Sequence, residues 1–391
     1  MRLSELKTGQ SATILNVLGH GGFRRRIMEM GFVRGKRVDV LQNAPLRDPI
    51  KYRIMDYEVS LRRSEAAMIV VITAEEVQQQ LSVAGETLSA PDDADFEEAI
   101  STRSRTINVA LIGNPNSGKT SLFNAISGGH EHVGNYSGVT VDAKRGEYRY
   151  GGYRFVITDL PGTYALSAYT PEELYVRRHL VNDTPDVVVN AVVASNLERN
   201  LYLTTELIDI DPKMVVALNM YDELEASGAV LDYEHLGAML GVPMVPVVAK
   251  TGRGLEALLD TVIAVYENRD PRVRHIHINN GPVVEQALRP LYERLRSDRD
   301  ELPKHFPPRY FAMKLLERDK EVEAQLADCP HFAEWIALRD RAVPQVEEEL
   351  GEDVETALAN QKYGFISGAL KETFTPGGKE QAQTTHIIDA F

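Results

Sequence analysis

The segment GNPNSGKT, residues 113–120, restricts the fold of this chain more than any other part of the sequence. It follows the apolar run INVALI and leads into SLFNAI, a pattern typical of a buried strand, a loop and a helix. Its two glycines, lysine and threonine match GxxxxGK[ST] without departure. Because such a loop turns backbone N–H groups toward phosphate at the positive end of a helix, the segment predicts a phosphate-binding loop.

Composition excludes several classes of protein. The chain has 391 residues, and its net charge of −14 argues against nucleic acid as a partner, because binding phosphate backbones needs clustered Lys and Arg. The single cysteine excludes an internal disulfide and a Cys-based zinc site, and indicates a reducing cytosol. No window reaches the ~18 apolar residues of a membrane span, so the sequence as given predicts a soluble chain.

The pattern along the chain predicts a multidomain protein. Short β-like runs between turn signals indicate a small all-β barrel at 1–74. An acidic, Gln- and Ser-rich stretch at 75–104 is typical of a flexible linker. Val- and Ile-rich runs alternate with helical patterns over 105–270, which predicts an α/β unit with a mostly parallel sheet. Helical spacing then predicts an α-helical domain at 271–350 and a helical tail at 351–391.

Chemical roles follow for the phosphate loop. Lys119 would reach the β- and γ-phosphates, and the Thr120 hydroxyl would ligate Mg²⁺. The loop residues assigned to nucleotide contact are Gly113, Asn114, Pro115, Asn116, Ser117, Gly118, Lys119, Thr120 and Ser121.

A second segment, DLPG, follows the strand-like run YRFVIT. Asp159 would hold Mg²⁺ through water, and the Gly162 N–H would meet the γ-phosphate. The residues assigned there are Asp159, Leu160, Pro161 and Gly162.

Two further segments predict which base is bound. A buried carboxylate at Asp222 would accept hydrogen bonds from guanine N1–H and its amino group, and would reject adenine, which leaves it unpaired. Asn219 would tie this loop to the phosphate loop, while the Ala249 N–H would contact the guanine O6 and Lys250 would stack on the base. Val248 stands where a serine often opens this motif. Four segments in this order predict GTP and GDP as ligands, with assigned base-site residues Asn219, Met220, Tyr221, Asp222, Val248, Ala249 and Lys250.

These segments, with HVGNYSGVTV and NLERNLYLTTEL, resemble the cytosolic GTPase domain of the FeoB ferrous iron transporters. Residues 272–345, which include PRYFAMKLLERD, resemble that family's helical domain, described as suppressing GDP release. Residues 1–72, which include LSELKTGQSATI and RRRIMEMGFVRGKRVDVLQNAPLRDPI, resemble FeoA, an SH3-like barrel. The chain is thus similar to a FeoA–FeoB fusion that stops before the membrane domain.

The resemblance implies further roles. Thr140, with Gly138 and Val139 before it, corresponds to the switch threonine that closes on Mg²⁺, and Asn116 corresponds to the asparagine that helps bind K⁺. The catalytic residues would be Lys119, Asn116, Thr140 and Gly162. The implied location is the cytoplasmic face of the bacterial inner membrane. Implied partners are the FeoB transmembrane domain downstream and Fe²⁺ as transported substrate. The FeoA-like domain would contact the GTPase domain or the membrane domain.

Hydrolysis is predicted to be slow, because Thr163 stands where many GTPases place a water-orienting glutamine.

One alternative is an RNA-linked GTPase of ribosome assembly or tRNA modification, against which the negative charge and the NYSGVT segment weigh. Another is a binding module with nucleotide as a scaffold, against which the intact Lys119, Thr120, Thr140 and Asp159 weigh. The sequence leaves the oligomeric state open.

Overall fold

The computed structural model divides the chain into two compact units, Met1–Thr106 and Ile107–Phe391. Each unit has its own hydrophobic core. Of the linker predicted at 75–104, only Glu76 is described, and the end of the predicted tail lies outside the described residues. The residues that the structure describes are 1–17, 27, 30–33, 35–43, 48–55, 57–74, 76, 105–128, 131–133, 143–167, 170–303 and 306–377.

The first unit contains an antiparallel sheet, in agreement with the predicted all-β fold. Its described strands are β1 (Ser11–Val17), β2 (Arg37–Asn43), β3 (Ile50–Ile54), β4 (Tyr57–Leu61) and β5 (Ile69–Ile72), with a short helix α1 (Arg63–Ala66) before the last. The spatial order is β4-β3-β2-β1-β5. In β3, Ile50, Tyr52 and Ile54 are buried and the residues between them are exposed, so one face of the sheet covers the core.

The second unit begins with a larger, mostly parallel sheet, which confirms the predicted α/β architecture. Its described strands are β6 (Thr106–Gly113), β7 (Glu131–Val133), β8 (Lys144–Tyr150), β9 (Tyr153–Asp159), β10 (Val187–Val193), β11 (Met214–Asn219) and β13 (Met244–Pro246), while β12 (Val230–Leu231) lies apart. The order is β13-β11-β10-β6-β9-β8-β7. Strands β6, β10, β11 and β13 are parallel, and β8 is antiparallel to both neighbours.

Helices cover both faces of this sheet. They are α2 (Lys119–Ser127), α3 (Pro171–Asn182), α4 (Leu197–Ile210), α5 (Tyr221–Ser227), α6 (Tyr233–Leu240) and α7 (Leu255–Tyr266). Alternate residues of one strand enter different cores: Ala110 and Ile112 of β6 pack into one, Val109 and Leu111 into the other. Burial on both faces explains why these strands read as continuous apolar runs in the sequence.

The helical part that follows is continuous with one of these cores. It consists of α8 (Gly281–Ser297), α9 (Pro308–Leu316), α10 (Lys320–Leu326), α11 (Phe332–Leu350) and α12 (Val354–Thr373), followed by β14 (Phe374–Thr375). Leu288, Trp335 and Leu358 share a core with Val188 of the sheet. The boundary predicted at residue 350 falls between α11 and α12, which pack against each other. In the described part of the chain, no helix combines the length and apolar character that crossing a bilayer requires.

A cluster of buried charges joins the helical part to α4. Lys362 of α12, 1% exposed, pairs with Glu206 and lies 2.8 Å from Asp209 Oδ2. Lys314 Nζ of α9 lies 3.5 Å from Glu206 Oε2 and 2.6 Å from Glu317 Oε2. Burial alone would raise the pKa of Glu206, but the two ammonium groups outweigh it and lower that pKa to about 2. The cluster therefore keeps Glu206 ionised away from water, whereas burial raises the pKa of Asp209 and that of Glu317.

Replacing Lys362 by methionine should destabilise the chain by about 3–5 kcal/mol, because Glu206 and Asp209 would stay buried with too little positive charge beside them. Urea unfolding followed by circular dichroism measures the change. Lys371→Met, at an exposed position of the same helix, is the control and should shift stability by less than about 0.5 kcal/mol. Equal unfolding free energies for the two variants would contradict a stabilising role for the buried pair.

Candidate nucleotide-binding site

The phosphate-loop segment lies between the end of β6 and the start of α2, as predicted. Asn116 and Gly118 have left-handed backbone angles, with φ of 65° and 74°. A Cβ atom on Gly118 would lie 2.3 Å from Asn219 Nδ2, so no side chain fits there. The loop therefore keeps its backbone close to the neighbouring segment, and α2 begins directly after Gly118, where a helix N-terminus favours an anion.

Lys119 and Asp159 meet at the centre of the site. The Lys119 ammonium contacts an Asp159 oxygen, and both side chains are more than nine-tenths buried. The Thr120 hydroxyl donates to Asp159 Oδ2 at 3.2 Å. The end of β9 is thus brought beside the phosphate loop, and the groups predicted to hold phosphate and Mg²⁺ stand together.

Buried polar atoms in the loop lack partners. Ser117 Oγ and Asn114 Oδ1 are buried without a hydrogen bond in the described structure. Asn114 Nδ2 donates to the Arg199 carbonyl at 3.4 Å. Unsatisfied buried groups are rare in proteins, and the Ser117 hydroxyl, beside a helix N-terminus and a buried ammonium, can donate to an anionic ligand, whereas Asn114 Oδ1 can only accept a hydrogen bond. Thr120 and Asp159 offer the hydroxyl and carboxylate oxygens that Mg²⁺ prefers. The residues present therefore fit a magnesium nucleotide.

The DLPG segment is held against the loop by its backbone. Leu160 N donates to Leu111 O, and Thr163 N donates to Gly113 O, each at 3.1 Å. A Cβ on Gly162 would lie 3.0 Å from the Pro115 Cα, so glycine permits the close approach. The Thr163 hydroxyl donates to Ala165 O at 2.6 Å, so it forms a local hydrogen bond with the backbone two residues further on.

Asn219 joins the predicted base site to the phosphate loop. Its Nδ2 donates to Ser117 O at 2.9 Å, and its Oδ1 accepts from Ala249 N at 3.1 Å. The expected link between these loops is present. The Ala249 N–H, however, faces Asn219 here rather than standing free for a base oxygen.

Two features of the base site differ from the expectation. Asp222, expected as a buried carboxylate, is exposed in the first turn of α5, so its desolvation would depend on the base that covers it. The missing serine at Val248 is offset locally, because the Thr251 hydroxyl donates to Val248 O at 3.3 Å. Lys250 is exposed beside it. In the sequence, Thr251, three residues after Val248, is the feature from which this replacement hydroxyl could have been predicted.

Three predicted ligands, Gly138, Val139 and Thr140, lie outside the described residues. A separate group of potential metal ligands, Asp298, Glu301 and His331, lies in the helical part. His331 Nδ1 is 2.6 Å from Glu301 Oε1, and Asp298 Oδ2 accepts from the Trp335 indole at 2.8 Å. His331 and Glu301 thus pair with each other and Asp298 pairs with Trp335 and Arg294, so each group has a partner within the protein.

Family models match each part of the chain. Residues 107–262 match the family described as ferrous iron transport protein B, residues 1–73 match the FeoA domain, and residues 281–375 match the FeoB cytosolic helical domain.

Two curated relatives cover different shares of the chain. A fusion of Fe(2+) transport protein A and Fe(2+) transporter FeoB from Porphyromonas gingivalis is 48% identical over 412 residues, which cover 100% of this chain and 49% of that protein. The Escherichia coli Fe(2+) transporter FeoB is 32% identical over 292 residues, which cover 73% of this chain and 35% of that protein. The chain spans about half the length of the first relative, and less of the second.

Solved structures match the second unit. A GDP-bound mutant of NFeoB from S. thermophilus is 36% identical, with a TM-score of 0.60, over 68% of this chain and 99% of that one. The GDP-bound cytosolic domain of the T. maritima FeoB iron transporter is 32% identical, with a TM-score of 0.59, over 69% of this chain and 100% of that one. The chain therefore belongs to the FeoB family of ferrous iron transport proteins and carries a FeoA domain before the FeoB cytosolic part.

Proposed function

We propose that the chain binds GTP and GDP with Mg²⁺ and hydrolyses GTP to GDP and phosphate, as the regulatory region of a ferrous iron transporter. The contacts of Asp159 with Lys119 and Thr120 are the main support for this proposal. They place a cation that can bind phosphate and two side chains that can ligate Mg²⁺ at one helix N-terminus. Phosphate release with GTP and with ATP, in the presence and absence of Mg²⁺, tests it. Equal rates of phosphate release from GTP and ATP, or equal rates with and without Mg²⁺, would refute the proposal.

The residues divide the work at the site. Lys119 would exchange Asp159 for phosphate oxygens when nucleotide enters, and Thr120 and Asp159 would then hold Mg²⁺, joined by Thr140. Bound Mg²⁺ supplies positive charge that offsets the charge on the β- and γ-phosphates. The engaged hydroxyl of Thr163 supports slow hydrolysis, since it does not offer a free group to orient water.

The wider system is part of the same proposal. Fe²⁺ would be the transported substrate of a longer protein whose transmembrane domain follows this chain, at the cytoplasmic face of the bacterial inner membrane. The relatives named as Fe(2+) transporters, which are about twice as long or longer, support this. The FeoA domain would contact the GTPase or membrane domain.

Asp222→Asn should weaken GTP binding by about 10- to 100-fold, because an amide donor would replace the carboxylate oxygen that faces the guanine 2-amino group. The same change should favour xanthosine nucleotides, which carry a carbonyl oxygen where guanine has its 2-amino group, because that oxygen can accept from the asparagine NH2. Competition titrations with fluorescent nucleotide measure both effects. The control is Glu223→Gln, the same change one residue further along α5, which should leave the guanine preference intact. Equal wild-type affinity for ATP and GTP would remove Asp222 from this role.

K⁺ should accelerate hydrolysis over Na⁺ through Asn116, an exposed residue of the phosphate loop whose side-chain carbonyl could be an ion ligand. Because its φ is 65°, alanine there would strain the backbone, whereas Asn116→Gly removes the side chain without strain. That variant should lose the K⁺ response and keep its GDP affinity, as judged by phosphate release in matched KCl and NaCl.

The matched control for this experiment is Asn268→Gly, at another exposed asparagine with positive φ, 57°. It should keep the wild-type response. Identical wild-type rates in the two salts would exclude the cation mechanism. If Asn116→Gly instead weakens GDP binding in both salts, the residue only supports the loop.

The helical part should control GDP release, and its contact with α5 offers a sharper test than truncation, which would expose the shared core. Strand β14 pairs with β12, and a Cβ on Gly377 would lie 2.1 Å from the carbonyl oxygen of Ser227, the last residue of α5. Gly377→Ala should break this approach, loosen the helix that carries Asp222 and speed GDP release in stopped flow. Gly368→Ala, whose Cβ would meet no atom within 4 Å, is the control. Equal off-rates would contradict this route.

A further inference from the structure

Arg199 contacts two segments of the nucleotide site from outside the four sequence motifs. It lies in the first turn of α4, and its guanidinium carbon is 4.3 Å from the centre of the Tyr164 ring. Its backbone carbonyl accepts from Asn114 Nδ2 at 3.4 Å. One residue therefore meets the phosphate loop through its main chain and the segment after Gly162 through its side chain.

The segment after Gly162 is anchored on both sides of Tyr164. Thr163 is buried, with both its N–H and its hydroxyl bonded, and Leu166 is buried in the core. Tyr164 between them is 42% exposed. Its contact with a cation on a fixed helix restrains the exposed part of the segment, since a guanidinium over an aromatic face is attracted to the ring.

The base of Arg199 is itself fixed. The next residue, Asn200, is buried, donates to Asn196 O at 2.7 Å and accepts from Val193 N at 3.3 Å. The start of α4 therefore cannot follow Tyr164 if the segment moves, and the stacked guanidinium acts as a restraint on the segment.

We propose that Arg199 is a positioning residue for GTP hydrolysis, which holds Tyr164 and so fixes the DLPG segment beside the γ-phosphate. The inference rests on the proposed GTPase function. Without a glutamine after Gly162, the reaction depends on how accurately the backbone of this segment is placed, and misplacement of reacting groups is costly in rate. Because the contact between Arg199 and Tyr164 would position the DLPG segment for the reaction, its loss should lower kcat and leave GDP affinity unchanged.

Single-turnover phosphate release at saturating GTP and Mg²⁺ tests the proposal, with GDP affinity and off-rate measured alongside. Arg199→Ala should lower the rate about threefold to fivefold, the size expected for loss of an exposed cation–π contact. Tyr164→Leu should lower it equally, and the double variant no further, because both remove one contact. Tyr164→Phe keeps the ring and should react like wild type, and Arg199→Lys should fall between.

Arg154→Ala is the control for loss of an exposed arginine in the same unit, since Arg154 pairs with Glu147 on the neighbouring strand, and it should leave the rate unchanged. Wild-type rates in Arg199→Ala would overturn the proposal. So would a normal rate in Tyr164→Leu, additive losses in the double variant, or losses matched by weaker GDP binding. A wild-type chain that releases no phosphate would refute the GTPase function itself, which is a separate result.

Discussion

Two buried lysines pair the helical part of the second unit with helix α4, which covers its sheet. Lys314 and Lys362 come from the helical part, and their carboxylate partners include Glu206 of α4, whose other end borders the phosphate site. Removing one member of such a group leaves an uncompensated charge, so the helices are not free to separate from the sheet one at a time. The buried charges therefore tie the helical part to the helix whose first turn borders the phosphate loop.

The site itself depends on the sheet. Strands β6 and β11 are each hydrogen-bonded to β10 in parallel, so their carboxyl ends open at the same edge. Gly113 and Asn219 end these strands, and the Asn219 side chain closes the distance between their loops. Ligands bind at this edge in open parallel sheets because the loops there converge. The loops thus supply the groups of the nucleotide site, and the buried strands fix the positions of these loops relative to one another.

Local pattern was enough to predict the fold class and the convergence of the motifs, because each motif follows an apolar run that could only be a buried strand. Local pattern did not predict the features that depend on contacts between residues far apart in the sequence. Glu206 and Lys362 are 156 residues apart, so their pairing has no local signature. Asp222 is exposed because a helix begins just before it, and Arg199 contacts the site from a helix that carries no nucleotide motif.

The pairing of β14 with β12 has a consequence that runs in both directions. The chain reaches Gly377 in contact with Ser227, at the end of the helix that bears Asp222. If bound nucleotide changes the affinity of a partner for β14 by some factor, that partner must change nucleotide affinity by the same factor, because coupling between two binding sites is reciprocal. Binding of a partner at β14 would then be measured as a change in GDP affinity.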